Sequence, residues 1–368
     1  MAVTADIPLI DIAGDQDAVA QQLVDAAHEH GFIYIRNLGA DISADSIDEA
    51  FALSKKLFDA PLAEKQACTI QTNNRGWSGM HSETLDPKHQ KVLEKPILFT
   101  LWRELTDGIC PRPTRSETLK TFNFGEFIDG KAQQPLPPTI AGDEPQISAF
   151  ADSCHKLCRK LLHLLGIGLG VGDFFSSAHT TNGESASILR FLRYPPPEQT
   201  SRSSEDVRAG AHSDYGSITL LFRLKGQAGL ELQKKDGSWA PVPVCPPGSE
   251  NDPSPPILIN IGDLLSYWTN GLFRSTVHRV VFPSEDGGSK VEGETSAGPR
   301  YSIAFFCHPR GAVPLEPVPS DRVRNYVPDE SAPNENPYAE RKVMTANEHL
   351  FMRLKASYGT LYDEKKGS

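Results

Sequence analysis

The stretch His212-Ser213-Asp214-Tyr215-Gly216-Ser217-Ile218-Thr219-Leu220-Leu221-Phe222 decides how this chain is read. Its second half is β-branched and apolar, which predicts a strand. Residues at i and i+2 of a strand point to the same side, so His212 and Asp214 can grip one ion while Ser213 faces away. A second strand is predicted at Thr276-Val277-His278-Arg279-Val280-Val281-Phe282, and it supplies another imidazole. Two histidines and one carboxylate on one face of a metal leave three positions of an Fe(II) ion open, for a co-substrate and for dioxygen.

Further along, Arg300-Tyr301-Ser302-Ile303-Ala304-Phe305-Phe306 reads as a strand in which Arg300 and Ser302 share a face. A guanidinium is a rigid fork that matches a carboxylate, and a neighbouring hydroxyl adds a third hydrogen bond. Taken alone, Arg300 would read as a strand arginine reaching to solvent. Beside two histidines and an aspartate it suggests a dicarboxylate that chelates the metal at its other end.

With these residues in place, the chain resembles the isopenicillin N synthase-like group of Fe(II)/2-oxoglutarate-dependent oxygenases. The stretches that carry the resemblance begin with Ile7-Pro8-Leu9-Ile10-Asp11, His30-Gly31-Phe32-Ile33-Tyr34-Ile35 and Arg193-Tyr194-Pro195. His212 to Thr219, Asn260-Ile261-Gly262-Asp263, Trp268-Thr269-Asn270-Gly271, Ser275 to Val280 and Arg300 to Ser302 complete them, in the family's order. The resemblance implies a mixed, mainly β fold: a double-stranded β-helix (jelly-roll) core with flanking α-helices. It implies Fe(II) on His212, Asp214 and His278, and 2-oxoglutarate with its distal carboxylate on Arg300 and Ser302. Dioxygen is then the oxidant of a small organic molecule of secondary metabolism, by hydroxylation, desaturation or cyclisation, and 2-oxoglutarate leaves as succinate and carbon dioxide.

Tyr194 matches the family's tyrosine before the proline. The resemblance implies a hydroxyl contact to the co-substrate or substrate, with simple strand packing as the alternative. Plant members often carry Asn two places earlier, where this chain has Leu192. Strand alternation puts Arg190 on the same face as Tyr194, and Phe306 shares the inward parity of Arg300. A substrate mouth is therefore expected with Phe306 as an apolar wall and Arg190 offered to a polar acceptor. The other reading of Arg190 is an ion pair at the barrel rim.

Three other functions fit parts of this pattern: an Fe(II) oxidase of the same fold that does not use 2-oxoglutarate, a zinc hydrolase, and a non-catalytic small-molecule-binding module. Zinc hydrolases need a nearby general base, and no residue here nominates one.

The rest of the chain bounds the reading. With 368 residues and 39% hydrophobic content it can bury one large core or two modest ones, and no linker divides two self-sufficient halves. One catalytic unit is expected, with residues 1–145 as a dependent helix and strand layer and 146–368 as the jelly-roll region with its closing helix. A net charge of −10 and a pI near 5.6 argue against a nucleic-acid partner. The absence of a membrane-length apolar run or signal-peptide pattern gives a cytoplasmic expectation. Six cysteines in a chain this long are no disulfide framework. Cys154 and Cys158 lie on the apolar stripe of a helix spanning 146–168 and read as buried thiols. Helices are also expected at 15–30, 43–58 and 345–358, strands at 7–10 and 32–36, and loops at 195–210, 246–256, 283–299 and 309–337.

Overall fold

The structure is a computed structural model, and it describes residues 4–79, 119–181, 184–195, 206–282, 298–327 and 342–362. The sequence also predicts an irregular, polar region at 75–99; its residues 80–99, and residues 196–205, 283–297 and 328–337 of the expected loops, lie outside the described residues.

In chain order the elements are β1 (Leu9–Ile10), α1 (Gln16–Glu29), β2 (Phe32–Ile35), α2 (Ala44–Asp59), α3 (Leu62–Ala67), β3 (Gly76–Ser78) and β4 (Lys120–Phe124). Next come α4 (Pro138–Ala141), α5 (Glu144–Gly168), α6 (Phe174–Ala178), β5 (Ile188–Tyr194), β6 (Asp206–His212), β7 (Ile218–Arg223), β8 (Leu230–Gln233) and β9 (Trp239–Pro241). The chain then forms β10 (Ile257–Ile261), α7 (Asp263–Trp268), β11 (His278–Phe282), β12 (Arg300–Cys307), α8 (Asp321–Arg324) and α9 (Ala346–Tyr362).

The strands form an eight-stranded sheet in the order β1-β2-β10-β7-β12-β5-β4-β3 and a four-stranded sheet in the order β6-β11-β8-β9. Between them lies an inner apolar cluster with Phe32, Leu192, Tyr194, Leu258 and Ala304 from the large sheet and Ala209, Leu230, Leu232 and Val280 from the small one. The other face of the large sheet is covered by helices. There Ile218, Leu220 and Phe222 of β7 and Tyr301, Ile303 and Phe305 of β12 join the stripe Ile147, Phe150, Cys154, Leu157, Cys158, Leu161 and Leu165 of α5. The period-2 alternation of β7 and β12 thus sends one set of residues to the helices and leaves the other for the interior. The jelly-roll with flanking helices is the fold observed. Among the described residues no helix is long and apolar enough to cross a membrane.

Local chemistry fixes the helix ends. Asp15 caps α1 by accepting from the Ala18 amide, and Ser43 caps α2 by accepting from the Ser46 amide. At the other end of α1, Gly31 takes a φ of 69° and its amide returns to the Ala26 carbonyl. A Cβ there would stand 2.2 Å from the Arg274 carbonyl oxygen, so the turn into β2 packs backbone against backbone.

Several elements differ from the sequence expectation. The first strand is only Leu9–Ile10, because Asp11 caps its own turn by accepting from the Ala13 amide. The expected loop at 195–210 becomes strand from Asp206, where tertiary pairing with β11 overrides a polar, glycine-containing sequence. Gly76–Ser78 pairs with the unforeseen β4, which itself pairs with β5, so the N-terminal layer supplies β1 to β4 of the large sheet.

Candidate metal centre

His212 is the last residue of β6 and His278 the first of β11, and the two are direct partners in the antiparallel register. Their rings lie 4.4 Å apart, centroid to centroid. Asp214 does not continue the strand, as the sequence pattern suggested. The chain leaves β6 at His212 and turns through residues 213–217 before β7 begins, and this turn delivers the carboxylate. Asp214 Oδ1 lies 3.9 Å from His212 Nε2 and 3.8 Å from His278 Nε2. The three candidate donor atoms all fall within 4.8 Å of one another.

The surroundings aim each donor inward. His212 Nδ1 is 2.7 Å from the Gly210 carbonyl and His278 Nδ1 is 3.1 Å from the Thr276 carbonyl. A carbonyl only accepts, so both protons sit on Nδ1 and both Nε2 lone pairs face the centre. Asp214 Oδ2 accepts from Thr219 Oγ1 and from Asn260 Nδ2, each at 2.7 Å, which leaves Oδ1 for the centre. Burial would push the Asp214 carboxyl up. His278, His212 and the two hydrogen bonds outweigh it and hold the group below the usual carboxylate range.

The turn that carries Asp214 is fastened to the start of α7. Amides of Gly262, Asp263 and Leu264 donate to the carbonyls of Ser217, Asp214 and Gly216, and the Ser217 amide donates to Cys307. A Cβ on Gly262 would sit 2.2 Å from the Gly216 oxygen, so only glycine permits this approach. Ser213, as expected, points away from the centre: its hydroxyl donates to Asp263 Oδ2 at 3.0 Å. Burial raises the Asp263 carboxyl above its ordinary value, against the pull of Arg353, Ser275 and Ser213. Behind the turn, burial holds His179 and His349 down to about 3 and His308 down to about 4, so all three are neutral imidazoles.

Arg300 and Ser302 begin β12 on the interior face, both buried. Arg300 stands opposite Tyr194 in the register, its guanidinium carbon 4.9 Å from the centre of that ring, and its Nε donates to the Ala228 carbonyl at 2.8 Å. Ser302 pairs with Leu192 on one side and Arg223 on the other. Arg190 donates from Nε to Asn123 Oδ1 at 2.8 Å and lies 5.2 Å from the Phe306 ring centre. Arg190 and Phe306, the two residues expected at a substrate mouth, are therefore next to one another, the guanidinium over the ring. Asn123, Thr219, Asn260, Asp263 and Arg353 were not singled out for a role in the sequence. Thr219, Asn260 and Asp263 lie inside the family-like stretches, whereas Arg353 carries no local signal.

Two imidazole nitrogens and one carboxylate oxygen, with no fourth His, Cys, Asp or Glu grouped with them among the described residues, make the donor set of an open site. A closed structural zinc site would need four. The set fits a non-haem Fe(II) ion with free positions.

Residues 183–309 match the family described as the 2OG-Fe(II) oxygenase superfamily, and residues 7–121 match the one described as non-haem dioxygenase in morphine synthesis N-terminal. The chain is 33% identical to a UPF0676 protein of Schizosaccharomyces pombe, covering 96% of this chain and 93% of that one. It is 30% identical to the 2-oxoglutarate-dependent dioxygenase htyE of Aspergillus rugulosus, covering 83% and 86%. The full-length Neurospora crassa protein crystallised with alpha-KG and thymine superposes with a TM-score of 0.69 at 27% identity, covering 97% of this chain and 99% of that one.

Proposed function

Because the chain belongs to the 2-oxoglutarate–Fe(II) oxygenase superfamily and is an Fe(II)- and 2-oxoglutarate-dependent oxidoreductase, we propose that His212, Asp214 and His278 hold its iron and that Arg300, Ser302 and Tyr194 receive 2-oxoglutarate. The observation that carries this reading is the convergence of the three donors within 4.8 Å, each turned inward by a separate hydrogen bond. Iron, 2-oxoglutarate and dioxygen together supply the oxidising chemistry, in which 2-oxoglutarate becomes succinate. The protein's own residues do the rest. Arg300 and Ser302 fix the far carboxylate by charge-assisted hydrogen bonds, and the Tyr194 ring walls the guanidinium. The inner apolar cluster excludes water around them.

The substrate in this reading is a small organic molecule that enters beside Phe306 and Arg190, and the thymine of the Neurospora crassa complex supports that class. Residues 1–145 act as a dependent layer of the catalytic region 146–368, a reading supported by their strands lying in its sheet. A cytoplasmic role in secondary metabolism, without nucleic acid, completes the proposal. The acidic composition and the five free cysteines of the described residues support it.

The test is anaerobic reconstitution with Fe(II) and 2-oxoglutarate, followed by oxygen and a panel of small molecules. Iron-dependent succinate release is expected, stimulated by the true substrate and absent in His278→Ala. Succinate release that survives in His278→Ala would overturn the ligand assignment.

A further inference from the structure

The two segments that carry the candidate ligands come from different places in the chain, yet one carboxylate touches both. Asp263 Oδ2 accepts from Ser213, the residue between His212 and Asp214, at 3.0 Å. Asp263 Oδ1 accepts from Ser275 at 2.7 Å, next to Thr276, whose carbonyl fixes the His278 ring. The Asp263 amide donates to the Asp214 carbonyl at 2.7 Å. A buried carboxylate is costly unless it is paired and hydrogen-bonded. The pairing cation comes from the other end of the molecule: Arg353 of α9 reaches Asp263 Oδ2 at 2.6 Å, donates to Ser213 Oγ at 3.4 Å and lies 5.0 Å from the Tyr215 ring centre.

We propose that Asp263 is a positioning residue that sets the His212–Asp214 arm against the His278 arm, and that Arg353 holds it in place, so that docking of the C-terminal helix is coupled to metal affinity. This rests on the metal assignment above. None of these groups is a metal donor. Each acts through the backbone that aims one, and outer partners of this kind change metal affinity by roughly 10- to 100-fold in other sites.

The coupling has a direction. With Arg353 absent, Asp263 loses its cation and its hold on Ser213 weakens. With Ser275 absent, only the His278 arm is released. Removing Ser213 frees only the other arm. The two serine effects should therefore combine to approach the effect of Asp263→Asn.

The experiment is anaerobic titration of full-length, metal-free protein with Co(II), read by the visible absorption of the bound ion and by affinity. Asp263→Asn and Arg353→Met are expected to weaken Co(II) binding by about 10- to 100-fold and to change the absorption, which reports ligand geometry. Arg353→Lys should recover part of the loss. Ser213→Ala and Ser275→Ala, which remove one hydroxyl each and leave the buried pair intact, keep the test valid if the charge variants fold poorly. Tyr267→Phe is the control for general loosening near the same helix, because it removes the hydroxyl contact to the Lys342 carbonyl and leaves the ring in place. It should lower the melting temperature and leave Co(II) binding unchanged. Wild-type Co(II) affinity and absorption in Asp263→Asn and both serine variants, with binding lost in His278→Ala, would overturn the positioning role alone. Wild-type Co(II) binding in His278→Ala would overturn the metal assignment and this proposal together.

Discussion

His212 and His278 face each other as register partners at the open end of the β6–β11 ladder, with each Nδ1 tied to the carbonyl two residues earlier on its own chain. The same local hydrogen bond is thus used twice, and the pair arrives pre-set for one ion. Little rearrangement is needed for binding, which is the condition for a tight site.

Replacing His212, Asp214 or His278 with Ala is expected to reduce iron-dependent succinate formation by more than about a hundredfold, because metal binding needs all three deprotonated donors. Asp214→Glu should fail too, since an added methylene breaks the match between Oδ1 at the centre and Oδ2 on Thr219 and Asn260. Near-normal turnover in any of the four variants, measured as succinate per iron, would count against the assignment.

Thr219→Val keeps the shape of the side chain and removes one of the two hydrogen bonds on Asp214 Oδ2. The carboxylate should then rotate more freely, and Fe(II) affinity should fall roughly tenfold or more. Unchanged affinity in a metal titration would mean that Asn260 alone is sufficient.

Arg300→Lys should raise the KM for 2-oxoglutarate by about 10- to 100-fold. The loss of one charge-assisted hydrogen bond is worth about 1.5–3 kcal/mol, and an ammonium cannot reproduce the fork. Kinetics with 2-oxoglutarate varied at fixed substrate, and the reverse, will show where the loss falls. A change confined to the substrate would assign the Arg300–Ser302 pair to the substrate's own carboxylate.

The metal-free protein should lose stability steeply in acid. His179 and His349 are held to about 3 and His308 to about 4 in the fold, against 6.5 for the free side chain. Below about pH 6.5 the unfolded chain therefore binds protons that the folded one refuses. Stability is complete above that pH and falls until the folded groups titrate at about 4 and 3. Each histidine contributes about 1.4 kcal/mol per pH unit, or about 4 for the three. His349→Leu, tested by urea unfolding from pH 6.5 to 4.5, should flatten the slope by about one proton.

Gly31→Ala should cost about 2 kcal/mol or more, since the left-handed φ of 69° and the 2.2 Å approach to the Arg274 oxygen both penalise a Cβ. Urea denaturation should show a lower midpoint with an unchanged slope. A wild-type midpoint would mean that the Arg274 segment yields without cost.

The sequence carried the site where chemistry and strand period coincide. His212, Asp214 and His278 are types that ligate metals, and Arg300 and Ser302 share a face because strands alternate. Helices 16–29, 44–59 and 144–168 were legible from apolar spacing, and the structure adds the caps Asp15 and Ser43 to the first two. Strand β6 was not, because its alternation of Val207, Ala209 and Ala211 rests mainly on alanine, a weak strand former, interrupted by Gly210, and the segment gains its form from β11. Lys-Thr-Phe-Asn-Phe of β4 does alternate, but five residues with two aromatics make a short signal beside the polar sequence before them. The Arg353–Asp263 pair lay beyond reach, since an ion pair between distant segments leaves no local pattern.

Strand β11 ends at Phe282 in the small sheet, and β12 begins at Arg300 in the large one. Each is held in register by strands of its own sheet, so the placement of His278 and that of Arg300 do not depend on the length of chain between them. The junction between the two strands is accordingly where an engineer can insert an affinity tag or fluorescent reporter without touching the chemistry.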